Sequence, residues 1–323
     1  MKTKTFKITI IGLFVALTSC DNNVDSKFRA GNLNIGINKS GNIISLTDSK
    51  KNIEYVHPGN DSKSILAIRV NGELEYPASF AIKEGGESML LGYPKNGVEA
   101  EVKLIKKDRY LTLELASITK EDEIELVLWG PFETTIRETV GETVGVVRNK
   151  DFSIGIQALN KRTLGGYPTL EDDSTPSFDI FGTTSLVDIS DSLKILYRGH
   201  TALPKDYGSS LQAYTRNRNK ERVISAMGHE QYVAPAFKDE GVVGSKIALF
   251  GCTPEEVLNT IESIELGEGL PHPTLDGVWS KRAPMATAAY LIQDFGTANI
   301  DDAIALTKRA GLKYLYHSGP FLN

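Results

Sequence analysis

The side chains of this 323-residue sequence that are spaced for chemistry fall mostly near its two ends. At the start, Leu17-Thr18-Ser19-Cys20 places a thiol directly after small residues that close an apolar run, Ile8 to Leu17. With Lys2, Lys4 and Lys7 ahead of it, that run has the charge and length of a signal-peptide core and is too short to span a bilayer. Cys20 is then the residue that lipoprotein processing would acylate and cleave before. A plain secretory signal that happens to contain a cysteine is the alternative. At the far end, Asp294 follows one expected strand, and Tyr316 and His317 end another. A carboxylate, a phenol and an imidazole at neighbouring strand ends can hold a ligand or exchange protons with it. Equally, Asp294 can solvate a loop and His317 can bond within a rim. Between these ends, Trp129-Gly130-Pro131-Phe132-Glu133 closes an apolar strand. An indole there could stack on the apolar face of a sugar ring, or it could seal an interface.

Other chemistries find no support. His57, His200, His229, His272 and His317 are dispersed, with no His-x-His or His-Glu-x-x-His spacing, so no metal site is expected. There is no Gly-x-Ser-x-Gly elbow, no phosphate-cradling loop and no dinucleotide fingerprint, so no cofactor is expected. Acylation of Cys20 would leave Cys252 without an intramolecular partner, and stability must come from buried apolar area. Removing Lys2, Lys4 and Lys7 with the leader takes the net charge from −5 to −8. An acidic chain is a poor binder of nucleic acid by bulk electrostatics, although a local basic groove remains compatible.

The elements that would position these residues read in four stretches. The leader (1–20) is followed by a polar tether (21–29). From 30 to 252 the pattern is mostly period-two alternation, as in Leu33, Ile35 and Ile37, in Val98, Ala100, Val102 and Leu104, and in Leu111, Leu113 and Leu115. Asn71-Gly72 is a strong type I′ hairpin signal, and Glu138 to Gly145 repeats four residues as a hairpin or loop would. A large antiparallel sandwich of two stacked sheets is expected, with an exposed loop over Thr169–Gly182 and a further strand over Leu193–Tyr197. From 253 to 275 the reading is a helical linker: Thr253-Pro254-Glu255-Glu256 has the composition of a capping box, and Val257, Ile261 and Ile264 share one helical face. From 276 to 323, Ala288–Ile292 reads as a buried strand. A helix capped by Asn299 and stopped at Gly311 follows, then the strand Leu312–Tyr316, a right-handed unit with parallel strands. One such unit cannot bury its own faces. It is the start of a longer fold or an appendage packed on the sandwich, and the first is preferred.

Asp276-Gly277-Val278-Trp279, the strand to Ile292, the helix Ile300–Gly311 and the run Leu312 to Phe321 carry a resemblance. In that order after a sandwich, they are similar to the N-terminal part of bacterial multidomain glycoside hydrolases of the α-galactosidase-like clan. The likeness implies a (β/α)₈ catalytic barrel beginning at about 276, a carbohydrate substrate, and catalytic carboxylates on later barrel strands. The sequence departs from the clan at Tyr316-His317-Ser318-Gly319, where a paired-aspartate, Gly-Trp motif is usual. The expectation is therefore mostly β: a sandwich, a short helical linker and an incomplete barrel-start unit, inactive alone, of an exported and lipid-anchored hydrolase. A non-catalytic glycan-binding surface lipoprotein and a structural envelope protein are the alternatives.

Overall fold

The computed structural model describes residues 24–58, 64–167, 201–226, 229–287 and 290–317. The leader with Cys20, the loop Thr169–Gly182, the strand expected at Leu193–Tyr197, His200 and the run Ser318–Phe321 lie outside the described residues.

Antiparallel strands dominate. β1 (Ser26–Ala30), β2 (Leu33–Ile37) and β3 (Ile43–Asp48) form a meander. β4 (Leu66–Val70) turns at Asn71-Gly72, both at positive φ, into β5 (Glu73–Glu75). β6 (Ser79–Ile82), β7 (Ser88–Tyr93), β8 (Val98–Lys106) and β9 (Leu111–Ile118) follow as successive hairpins. Then come β10 (Leu126–Thr134), the hairpin of β11 (Thr139–Val140) and β12 (Val146–Arg148), β13 (Ser153–Ala158) and β14 (Thr163–Gly165). Later in the chain lie β15 (Ala202–Lys205), β16 (Gly208–Arg216), β17 (Arg222–Ala226), β18 (His229–Ala234) and β19 (Lys246–Cys252). One sheet has eight strands in the order β11-β12-β13-β19-β9-β8-β7-β6. A second has six, β14-β16-β10-β4-β5 with β15 also on β16.

Alternation drives the two sheets together. Along β8, Val98, Ala100, Val102 and Leu104 point inward while Glu99 and Lys103 are exposed. Inward residues of both sheets, among them Leu113, Val127, Trp129, Ile154 and Leu211, join the meander's Leu33, Ile35 and Ile37 in one continuous core. Within it runs a short buried chain of hydrogen bonds. Trp129 Nε1 donates to Ser245 Oγ at 2.8 Å, Ser245 Oγ lies 2.6 Å from Thr215 Oγ1, and that hydroxyl is 3.0 Å from Thr163 Oγ1. Each polar atom is thus paired where no water would serve it.

Some strands, among them β4, β10, β16 and β19, depart from the half-buried pattern. On β19, Ile247 and Leu249 face the sandwich core, while Ala248, Phe250 and Cys252 face a second cluster outside it. That cluster is closed by α1 (Val257–Gly267) through Val257, Ile261 and Ile264, the helical face read from the sequence. The expected capping box does not form. Pro254–Glu256 is a 3₁₀ turn, Thr253 makes no side-chain cap bond, and Glu256 turns instead to Arg109 Nη1 at 2.5 Å and Asn259 at 3.1 Å. A guanidinium is a stronger partner for that carboxylate than a backbone N–H. Burial in the cluster pushes the Cys252 thiol up to about 11, so it is an inert, protonated core group.

Beyond α1, β20 (Thr274–Leu275) and β21 (Val278–Trp279) form a tight hairpin. Its Trp279 returns to the same cluster and donates Nε1 to Glu265 Oε2 at 2.7 Å. The strand–helix–strand unit follows as β22 (Tyr290–Gln293), α2 (Ile300–Arg309) and β23 (Tyr314–His317), and its strands are parallel as expected. Asn299 occupies the N-cap of α2 without a side-chain bond. The helix ends in a Schellman motif: Gly311 is at φ 69°, its N–H bonds Lys308 O, and Leu312 N–H bonds Thr307 O. β22 is not the buried strand expected, because Tyr290 and Ile292 are 60% and 56% exposed. Among the described residues, no helix is long and apolar enough to cross a membrane.

Candidate functional site

The parallel register of β22 and β23 sets Gln293 opposite His317 at the C-terminal ends of the strands. Asp294 follows immediately. His317 Nδ1 lies 3.1 Å from Gln293 O and 3.7 Å from Asp294 Oδ1, and its ring packs on Phe295 with centroids 4.6 Å apart. The structure therefore brings Asp294 and His317 together. The imidazole is mostly enclosed, whereas the carboxylate is open to solvent. With Nδ1 held near a backbone carbonyl and a carboxylate, the ring is oriented as a group that hydrogen-bonds or relays a proton needs to be.

Tyr316 does not join them. Neighbouring residues on a strand face opposite sides, so Tyr316 shares its face with Tyr290 and Ile292, and it is exposed. Trp129 lies elsewhere altogether. It is wholly buried between the two sheets with its indole N–H bonded to Ser245, so neither ring face is open to a ligand. It sits just before the cis Gly130–Pro131 bond and a register shift between Trp129 and Phe132. Cys20, the lipidation candidate, lies outside the described residues.

A second constellation was not legible in the sequence. Glu133, near the end of β10, is only 6% exposed and accepts a hydrogen bond from Tyr207 Oη at 2.7 Å. Tyr207 sits at the tip of the β15–β16 hairpin, and its ring stacks on His57 with centroids 3.9 Å apart and planes within 13°. The His57 N–H bonds Glu133 O, and Arg137 Nη2 reaches Tyr207 O. Burial first, and then the neighbouring Glu133 carboxylate, raise the Tyr207 hydroxyl well above its ordinary value, so it stays a donor at neutral pH. The three ring and carboxylate residues are scattered through the sequence, and only the hairpin tip and the strand end bring them together. The single sequence trace was a charged residue, Glu133, inside an otherwise apolar strand. Among the described residues, no three His, Cys, Asp or Glu side chains converge as metal ligands.

No family model matches the chain, and no curated protein matches it. Solved structures that overlap it loosely include two related to carbohydrates by their names. One is a bacterial glucoamylase complexed with acarbose, at 8% identity and a TM-score of 0.40, covering 75% of this chain. The chain spans about a third, 34%, of that glucoamylase. The other is a galactose mutarotase-like protein from Lactobacillus casei ATCC 334, at 9% identity and a TM-score of 0.29. That overlap covers 70% of this chain and 98% of the mutarotase-like protein.

Proposed function

We propose that this chain is the N-terminal portion of an exported, lipid-anchored glycoside hydrolase whose sandwich stands beside a catalytic (β/α)₈ barrel. The observation that carries the proposal is the state of the β22–α2–β23 unit. Parallel strands are stable when both faces are covered, yet one face here shows Tyr290, Ile292 and Tyr316 to solvent. Further strand–helix units laid beside β22 and β23 would bury that face. They would also place Asp294 and His317 at the barrel end where substrates bind. Glycoside hydrolysis needs two carboxylates flanking the scissile bond, and Asp294 supplies one carboxylate at these strand ends. The remaining units would supply the catalytic pair, with Asp294 and His317 lining a subsite.

Assays of aryl glycosides and polysaccharides with residues 1–323, alone and joined to further strand–helix units, test this reading. Turnover is expected only with the added units. Turnover by residues 1–323 alone would overturn the claim that the catalytic carboxylates lie elsewhere. Incorporation of labelled palmitate in bacteria, abolished by Cys20→Ala, is the outcome expected for the anchor.

A further inference from the structure

Between β1 and the outer ends of β7, β8 and β9 lies a groove with a volume of about 710 Å³, within the range of ligand pockets. Its wall holds four cations, Lys27, Arg29, Lys103 and Lys106, against two carboxylates, Glu87 and Glu101. The alternation that fills the core produces this. On β1, Phe28 packs on the core and Ala30 lies within it, which turns Lys27 and Arg29 outward. On β8, Val102 and Leu104 are buried, which turns Lys103 outward and leaves Lys106 exposed at the strand end.

The charges are not mutually cancelled. Glu101 is already held by Lys83 Nζ at 2.6 Å and by Ser88 Oγ at 3.0 Å, which keep its carboxyl below the ordinary value. Arg29 spends Nε on Gly31 O. Among the described residues no hydrogen bond or contact ion pair holds the ammonium groups of Lys27, Lys103 and Lys106, and Lys103 acts on Glu101 only through space. Three cations without a hydrogen-bonded partner around one concavity, in a chain of net charge −5, form a local reversal of sign. Such a concavity concentrates anions within a screening length of roughly 8 Å at physiological salt. Half-buried Phe28 and exposed Ile105 add apolar surface to the same groove.

We infer that this groove binds an acidic saccharide, a glycan strand bearing carboxylate or sulfate groups. The anionic groups would sit on Lys27, Lys103 and Lys106, and the C–H faces of the rings would lie against Phe28 and Ile105. The choice of a saccharide rests on the glycan reading above, while the demand for negative charge rests on the groove alone. The site lies on the sandwich, away from Asp294 and His317 in the sequence and on different elements. It would hold a polymeric substrate by a stretch distant from the bond being cut.

Affinity electrophoresis of the whole protein tests this with polygalacturonate, dextran sulfate, neutral dextran, polyphosphate and phosphatidylglycerol vesicles as probes. Retardation by polygalacturonate and dextran sulfate is expected, strong in low salt and lost in high salt, with little by dextran or polyphosphate. The double variant Lys27→Glu/Lys103→Glu should weaken it at least tenfold with an unchanged circular dichroism spectrum, and Lys308→Glu on α2 should leave it intact. Equal retardation by dextran would overturn the charge requirement while leaving the glycan reading standing. Equal retardation by polyphosphate, or binding to vesicles in place of saccharides, would overturn the saccharide assignment. Binding unchanged in the double variant would overturn the location.

Discussion

Leu113, Trp129 and Ile154 are sealed between the two sheets of the sandwich, while Tyr290, Ile292 and Tyr316 lie open on the β22–β23 sheet. Both regions use apolar residues on strands, so composition does not separate them. What separates them is the number of layers. Each large sheet has the other as a cover, and the outer side of β19 has α1 as well. The small parallel sheet carries α2 and an uncovered apolar face, the condition of an interface rather than a core. The two regions teach that the same kind of strand becomes a foundation or an attachment point according to what lies across from it.

The largest effect expected to sharpen this contrast is at Trp129. Trp129→Ala opens a cavity between the sheets and removes the donor to Ser245, and it should cost about 3–5 kcal/mol in chemical denaturation. Gly155→Ala comes next. A Cβ there would meet the Phe250 ring at 2.1 Å, and overpacking of that kind should cost about 1–3 kcal/mol. Glu54 gives the third, through pH. Burial works against its charged form, but hydrogen bonds from Ser45 Oγ and the N–H groups of Val56 and Leu46 outweigh that and hold its carboxyl below the ordinary value. A depressed carboxylate contributes stability that is present above its unfolded value near 4.5 and is lost as pH falls through the folded value. Denaturation midpoints should therefore decline below about pH 4.5, and Glu54→Gln should flatten that decline. The smallest effect belongs to the open sheet. Ile292→Ser should change the stability of this stretch by no more than about 0.5 kcal/mol. A loss there as large as at Trp129 would erase the distinction between the two regions.

Much of the sandwich was legible in the sequence because period-two alternation reports a sheet with one covered face. The β8 and β9 patterns are of this kind, and the Asn71-Gly72 turn and the Glu138 to Gly145 repeat, which holds β11 and the turn into β12, mark hairpins between such strands. β19 shows where such reasoning runs short. Its run from Ile247 to Cys252 is apolar on both sides because two different clusters claim it, and the run does not say which element supplies the second cover. Similarly, Thr253 and Glu256 have the spelling of a capping box, yet Arg109, distant in sequence, takes the carboxylate. At the candidate site, Asp294 and His317 were found from strand ends alone. Trp129, read as closing a strand, lies in the middle of β10, and whether its indole met solvent or the opposite sheet was a question of layering.

Local spelling by itself determined the elements here: hairpin turns such as Asn71-Gly72, the strand–helix–strand order and the Gly311 stop. These depend on backbone preferences and periodicity over a few residues. The tertiary structure alone decided which faces were covered. It stacked His57 on Tyr207 over Glu133, sent Trp129 into the core, and gathered Lys27, Lys103 and Lys106 around one groove. Those outcomes turn on contacts between residues far apart in the chain, whose free energy comes from burial and charge proximity that no short window of sequence contains.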